Sequence, residues 1–376
     1  MRRTAYYLIS LIFCACAENK TENDVDSMYI DINSAEGFIS GEAIMDTTNS
    51  AIIPLESDKV TIGYIEDCKI RDNNIYIVDG GRRELHVFEI NGKYLGTLSH
   101  SGKAENEYIE ISDFYVTESN IYILDNPSRK ILLYNNKYGF VSAIKIHDYW
   151  ANNLFVIDRN IFLVNEGSDC KYGKYHIFKI NERGEMIDKY IPFDYNPGLV
   201  CENPFAAQGD TIWYCQRDKN TVYKITDNGC DEYLRIDFGQ HALPEKYKKM
   251  DAKALANEKI DKSFSLGIQS IKVSDNYIFM SFYCKGQQYL AIYDVRNGCM
   301  THLCRGIVID FGYHVGLMNY VINDNCIFDI NYADELLHVI SSTKADHHPE
   351  SNDLIELYSL DITMDDNPVI FQYTLN

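Results

Sequence analysis

The feature that most constrains this chain is a phrase that it repeats six times. A polar turn leads into a short aliphatic or aromatic strand, a polar loop follows, and a second strand ends in another turn. The first copy reads Asn74-Ile75-Tyr76-Ile77-Val78-Asp79, then Leu85-His86-Val87-Phe88-Glu89-Ile90-Asn91-Gly92-Lys93. Later copies join residues 120–125 to 131–134, 160–165 to 176–181, 211–215 to 221–225, 277–281 to 290–294, and 326–330 to 355–360. Ile75, Ile121, Ile161, Ile212, Ile278 and Ile327 hold the same place in each, at intervals of 46, 40, 51, 66 and 49 residues. Such intervals suit one four-stranded propeller blade plus loops of variable length. A β-sandwich would not repeat one phrase in this way, and a parallel β-helix would use shorter, stricter repeats. Asn91-Gly92, Asn228-Gly229 and Asn297-Gly298 are hairpin turns, because both residue types tolerate positive φ.

The expectation is therefore an all-β, six-bladed β-propeller over residues 28–376, with one inserted helix between blades four and five. That helix falls at 244–262, where Lys, Glu and Ala accumulate. The last strands of blade six are expected at 355–360 and 369–374. An outer strand across the ring closure is one role open to residues 27–55.

The N-terminus carries an address. Arg2 and Arg3 precede an apolar stretch from Ala5 to Phe13, then Cys14, Ala15 and Cys16. The stretch is too short for a hydrocarbon core, which needs about 20 residues as a helix, and it reads as an export signal. Ala15-Cys16 resembles the end of a bacterial lipoprotein signal, which implies lipidation of Cys16 as the mature N-terminus; simple secretion with cleavage nearby is the alternative. The boundaries are then 1–15 for the signal peptide and 16–27 for an acidic tether. The expected location is the bacterial outer membrane or envelope, with membrane contact through the lipid anchor only.

Charge excludes some partners. With 35 Lys+Arg against 55 Asp+Glu the net charge is -20. Nucleic acid is not an expected partner, since its affinity comes from cations that neutralise phosphates. Nine of the 11 cysteines follow Cys16, an odd number with no CxxC pair, and several sit in apolar runs such as Trp213-Tyr214-Cys215. Buried free thiols are the favoured reading.

The blade phrase resembles NHL-type repeats, and the whole chain looks like the six-bladed β-propeller lipoproteins of Bacteroides-type gut bacteria. Ile53-Pro54-Leu55-Glu56 resembles that family's entry to the first blade. Ser101 to Tyr108 resembles its Gly-Pro turn, with Ala104 and Asn106 near the place of that pair. Asp237-Phe238-Gly239 with Leu243-Pro244 resembles its element before an inserted helix. The resemblance implies the fold and leaves activity open.

In a propeller, the loops from second to third strand and from outer strand to the next inner strand share one face. The loops expected there carry Arg82, Arg83, Arg129, Lys130, Lys171, Lys174, Arg217, Lys219 and Lys285, against only Glu84, Glu166, Asp169 and Asp218. A positive rim around a concave mouth would attract an anionic ligand such as a uronate- or sulfate-bearing glycan. Tyr108 and Trp150, near inner-strand starts, offer rings for stacking. The structural alternative is that Asp79…Arg83 and Asp125…Lys130 brace tight loops, each exposed pair contributing roughly 0–1 kcal/mol.

A second functional class is a metal-dependent hydrolase or lyase in the central channel. Glu107, Glu202, Asn203 and His314 would supply its calcium or zinc ligands, although no spacing indicates a metal. No Gly-rich phosphate loop, G-x-S-x-G elbow, H-E-x-x-H or EF-hand loop is present. No catalytic residue and no cofactor is therefore named. The favoured expectation is a binding or scaffolding module whose partner is an anionic glycan or an envelope protein.

Overall fold

In a computed structural model describing residues 25–194, 203–308, 314–315, 320–346 and 359–376, six sheets, each built on four antiparallel strands, are arranged in succession. Together they make the six blades of a β-propeller. The inner strands are Ile65–Arg71, Asp113–Val116, Asn153–Ile157, Phe205–Gln208, Ile268–Val273 and Tyr320–Asn323. The repeated isoleucine opens the apolar part of the second strand of every blade, and all six copies are buried.

Each blade packs against a neighbour on both sides, so its second strand is apolar on both faces rather than on one. The alternation survives in the choice of neighbour. Ile75 and Ile77 pack with Phe328 and Ile370 of blade six, whereas Tyr76 and Val78 pack with Ile121 and Ile123 of blade two. In blade two, Tyr122 and Leu124 turn the other way, toward Phe155 and Ile161 of blade three. The core is thus a series of apolar layers between consecutive blades.

Two chain segments close the ring. Val369–Leu375 is the third strand of blade six, and Met45–Pro54 pairs antiparallel outside it with Ile53 opposite Ile370. The outer strand of the last blade therefore comes from the N-terminal part of the chain. The third-strand place expected for 355–360 belongs to Val369–Leu375 instead, and residues 355–358 lie outside the described residues.

The N-terminal part does more than close the last blade. Asp26–Tyr29 adds a fifth strand, parallel to Gly229–Asp237, at the edge of blade four. The chain then crosses blade five, where Glu36 N donates to Leu303 O at 2.8 Å, and pairs Ile39–Ser40 with Ile307–Val308. Residues 26–54 form a strap over blades four, five and six. Side chains pin it, with Lys285 Nζ donating to Asn33 Oδ1 at 3.0 Å and Tyr293 OH donating to Asp26 Oδ2 at 3.2 Å.

The insert between blades four and five is two short helices, Glu245–Lys248 and Ala252–Ala256, rather than one. Asp251 stands in an extended conformation between them and caps the second by accepting from Ala254 N at 2.8 Å. A longer helix, Ala333–Asp346, lies after the second strand of blade six and was not anticipated. Ala333, Leu336 and Ile340 are buried, an apolar stripe too brief to stand out as helical periodicity. No disulfide joins the described cysteines, and Cys68, Cys215, Cys284 and Cys304 are buried; Cys201 lies outside the described residues.

Shortening the chain to begin at residue 56 would strip blade six of its outer strand and leave Val369–Leu375 as an open edge. The expected outcome is a lower Tm together with concentration-dependent association. Thermal melts and size-exclusion chromatography check it, and an equally stable monomer would refute the closure role.

Candidate functional site

The loops between second and third strands are built around a buried polar side chain. Asp79 and Asp125 end the second strands of blades one and two, Asn165 directly follows that of blade three, and each is fully buried. Asp79 accepts from Gly81 N and Arg82 N within its own turn, and from Gly63 N in the connection entering the blade. Asp125 likewise accepts from Ser128 N and from Ile109 N. Their carboxylates satisfy backbone donors that would otherwise be buried without partners.

The basic residues that follow do not pair with these acids. Arg83 and Arg129 end their turns in the left-handed region, with φ of 58° and 53°, which aims each side chain at the next connection. Arg83 Nη1 donates to Ile109 O at 3.2 Å. Arg129 Nη1 donates to Tyr149 O, with its guanidinium 4.2 Å from the ring centroid of Trp150. Lys130 Nζ donates to Ala104 O and Glu107 O, and Arg217 Nε to Leu266 O. The bracing is therefore cation to carbonyl, blade to neighbouring connection, and not the Asp–Arg contact within one loop that the sequence suggests. Lys171 and Lys174 differ, forming ion pairs with Asp148 at 2.7 Å and Asp169 at 3.4 Å. Arg82 and Lys219 are exposed.

Tyr108 requires a correction. Its side chain is fully buried and its hydroxyl donates to Arg83 O at 2.9 Å; burial pushes its pKa up to about 12. It wedges the connection between blades one and two and has no free ring face. Trp150 is half-buried beside Arg129.

The inner strands enclose a channel of about 700 Å³ to which all six blades contribute. Lys69, Tyr115, Phe155, Ala206, Lys272 and Val321 hold equivalent positions, each opposite the residue after the repeated isoleucine. Lys69 Nζ contacts Asp113 Oδ1 and Phe114 O of blade two and lies 3.3 Å from Asp67 Oδ2. Asp113 Oδ2 in turn accepts from Leu154 N of blade three at 2.8 Å. Burial disfavours the Lys69 charge, but Asp113 and Asp67 outweigh it and hold the amine above its ordinary pKa.

Lys272 behaves differently. Its Nζ donates to Tyr320 O and lies 3.8 Å from the Tyr320 ring centroid. Burial pulls its pKa down to about 8, against the opposing pull of Asp329 and Asp67. Arg71, nearer the other end of the channel, donates to Tyr115 OH at 3.4 Å. The sequence reasoning missed these charges because it began each repeat at the second strand. The signal was present in Asp67, Lys69 and Arg71, whose alternate positions put them on one face of the first strand.

Of the four channel-metal residues, Glu107 and Asn203 lie apart. Glu107 Oε2 accepts from Ala104 N inside the connection between blades one and two, while Asn203 lines the channel beside blade five. His314 belongs to the short strand His314–Val315, and Glu202 lies outside the described residues. Among the described residues no three His, Cys, Asp or Glu side chains group as a metal ion requires.

Fold and site together define a six-bladed propeller with a charged, partly aromatic channel and a face of cation-braced loops. The chain belongs to the family described as domain of unknown function DUF4934, whose model matches residues 46–374. Among solved structures it is similar to one titled "Putative exported protein" from Bacteroides fragilis, at 14% identity with a TM-score of 0.72, covering 94% of this chain and 100% of that one. A member of the DUF4221 family from Bacteroides vulgatus matches at 9% identity and a TM-score of 0.48, covering 87% and 96%. Virginiamycin B lyase from Staphylococcus aureus matches at 10% identity and a TM-score of 0.43, covering 87% and 99%. No curated protein matches. At 14% identity the likeness to the Bacteroides fragilis protein establishes the fold alone.

Lys69→Met would leave Asp113 buried without its cation. The expected cost is about 3–5 kcal/mol at pH 7. Asp113 in this variant would have a folded-state pKa above its unfolded value, so the penalty should shrink as pH falls and grow as pH rises through the carboxylate range. Urea unfolding at pH 4, 5.5 and 7 checks both size and sign.

Proposed function

We propose that this protein is an exported, lipid-anchored binding module of the bacterial envelope, tethered through Cys16, whose loop face takes an acidic glycan. One observation carries the ligand class. Arg83, Arg129 and Lys130 are held by neutral main-chain carbonyls rather than carboxylates, so their positions are fixed while their charge is not cancelled. Among the described residues, no carboxylate lies within ion-pair distance of these three or of exposed Arg82 and Lys219. On a chain of net charge -20, that face would present a fixed positive field to carboxylate or sulfate groups. Export is supported by the N-terminal signal and by the similar fold of the Bacteroides fragilis exported protein. No helix among the described residues is long and apolar enough to cross a membrane.

The soluble chain from Ala17 is to be screened against acidic and neutral glycans at low and moderate salt, with and without chelator. Salt-sensitive, chelator-independent binding without turnover is expected for acidic glycans. Arg82→Glu with Lys219→Glu should weaken acidic-glycan binding and leave the fold intact, since both side chains are exposed. Equal loss for acidic and neutral ligands would defeat the charged-face reading. In cells, Cys16→Ala should abolish incorporation of labelled fatty acid and release the protein from the membrane fraction; retention of both would exclude the anchor.

A further inference from the structure

The channel has two unlike walls. Blades two, three and four line one side with Tyr115, Phe155 and Phe205. Their rings meet edge to face, with centroids 5.5 Å apart for Tyr115–Phe155 and 4.5 Å apart for Phe155–Phe205. Blades five and one supply Lys272, Lys69 and Arg71 on the other side, and Val321 of blade six lies between them. Lys69 and Arg71 reach back toward the rings of blade two, with Lys69 Nζ 4.5 Å from the Phe114 ring centroid and the Arg71 guanidinium 5.8 Å from that of Tyr115, so a ligand against the aromatic wall also meets positive charge.

We propose that this channel is a binding site for an amphiphilic organic anion, with a flat apolar body against the aromatic wall and a carboxylate or sulfonate toward Lys272 and Arg71. A volume of about 700 Å³ is in the range of sites that enclose small organic ligands. The three rings offer the apolar surface such a body needs, with Asn153 and Asn203 beside them as polar neighbours.

The charges favour the same orientation. Asp113 is committed to Lys69 and to Leu154 N, and Asp67 also faces Lys69. Asp329 sits behind the channel in the second strand of blade six, with 1% of its surface exposed. Burial costs the Lys272 cation more than Asp329 and Asp67 return to it, which is why its amine titrates low. An anion entering from the channel side would stabilise that cation. The carboxylates Glu66, Asp67 and Asp113 gather toward the connections that enter blades one and two, while at the other end Arg71 lies 3.9 Å from Asp72, an exposed pair that solvent screens.

The test uses 1-anilinonaphthalene-8-sulfonate as the anionic probe and N-phenyl-1-naphthylamine as a neutral probe with the same aryl body. Both are titrated by fluorescence into the folded protein at pH 7. The expected result is a single saturable site that prefers the sulfonate. Lys272→Met should weaken the sulfonate about 10-fold, the scale of one charge-assisted contact, while the neutral probe changes little. Arg71→Met, at the open end, tests the same preference if Lys272→Met does not fold. Val321→Trp, which narrows the channel between Lys272 and Lys69, should weaken both probes with far-UV circular dichroism unchanged. Equal affinity for the two probes, or affinities for both that Val321→Trp leaves unchanged, would overturn the proposal. Arg82→Glu with Lys219→Glu should leave both probes unaffected, so failure at the channel is distinguishable from failure at the loop face.

Discussion

Everything in this molecule depends on burying both faces of every blade. A free four-stranded sheet would keep one face wet, but here the residues on either side of each second strand are consumed by different neighbours. Ile75 serves blade six while Tyr76 serves blade two, and the pattern passes from blade to blade around the ring. Burial of this kind contributes roughly 25 cal/mol per Å² of apolar surface, and it is available only when the ring is complete. That requirement explains the reach of the N-terminal segment, which supplies a strand to blade four, crosses blade five and finishes blade six.

The apolar layers fix the blades, and two polar systems fix what lies at their ends and centre. At the loop face, buried Asp79 and Asp125 gather backbone amides while Arg83, Arg129 and Lys130 gather backbone carbonyls. Donors and acceptors of the irregular connections are satisfied by side chains because no sheet partner is available to them. In the channel, Lys69 reaches from blade one to blade two, Asp113 from blade two to blade three, and Lys272 from blade five to blade six. These groups stitch the inner strands where side chains are too few to fill the axis.

The blade number and the strand phrase could be read from the sequence because the repeat is long and its apolar positions are obligatory. The strap was harder to read. Asp26–Tyr29 and Ile39–Ser40 are short, and each pairs with a strand more than 200 residues away, which no local pattern records. The rim cations were legible as a composition, but their partners were not. Whether Arg83 meets Asp79 or Ile109 O depends on a left-handed backbone turn, and sequence alone gives no direction to that side chain. Tyr108 was misplaced for a related reason: its ring fills a gap made by the fold of its own connection. The channel charges were visible as alternate residues on one strand, yet only ring geometry brings Lys272 into the same space as Lys69.

The strap also has a consequence for the order of folding. Residues 45–54 are synthesised before the first blade, and their partner, Val369–Leu375, only after the fifth. Nearly the whole chain must be present before the sixth blade has its fourth strand. Until then one strand waits without a partner and the facing surfaces of blades one and six stay wet. Closure of the ring therefore rests on one long-range pairing, and a chain halted before Val369 would hold five blades and an open seam.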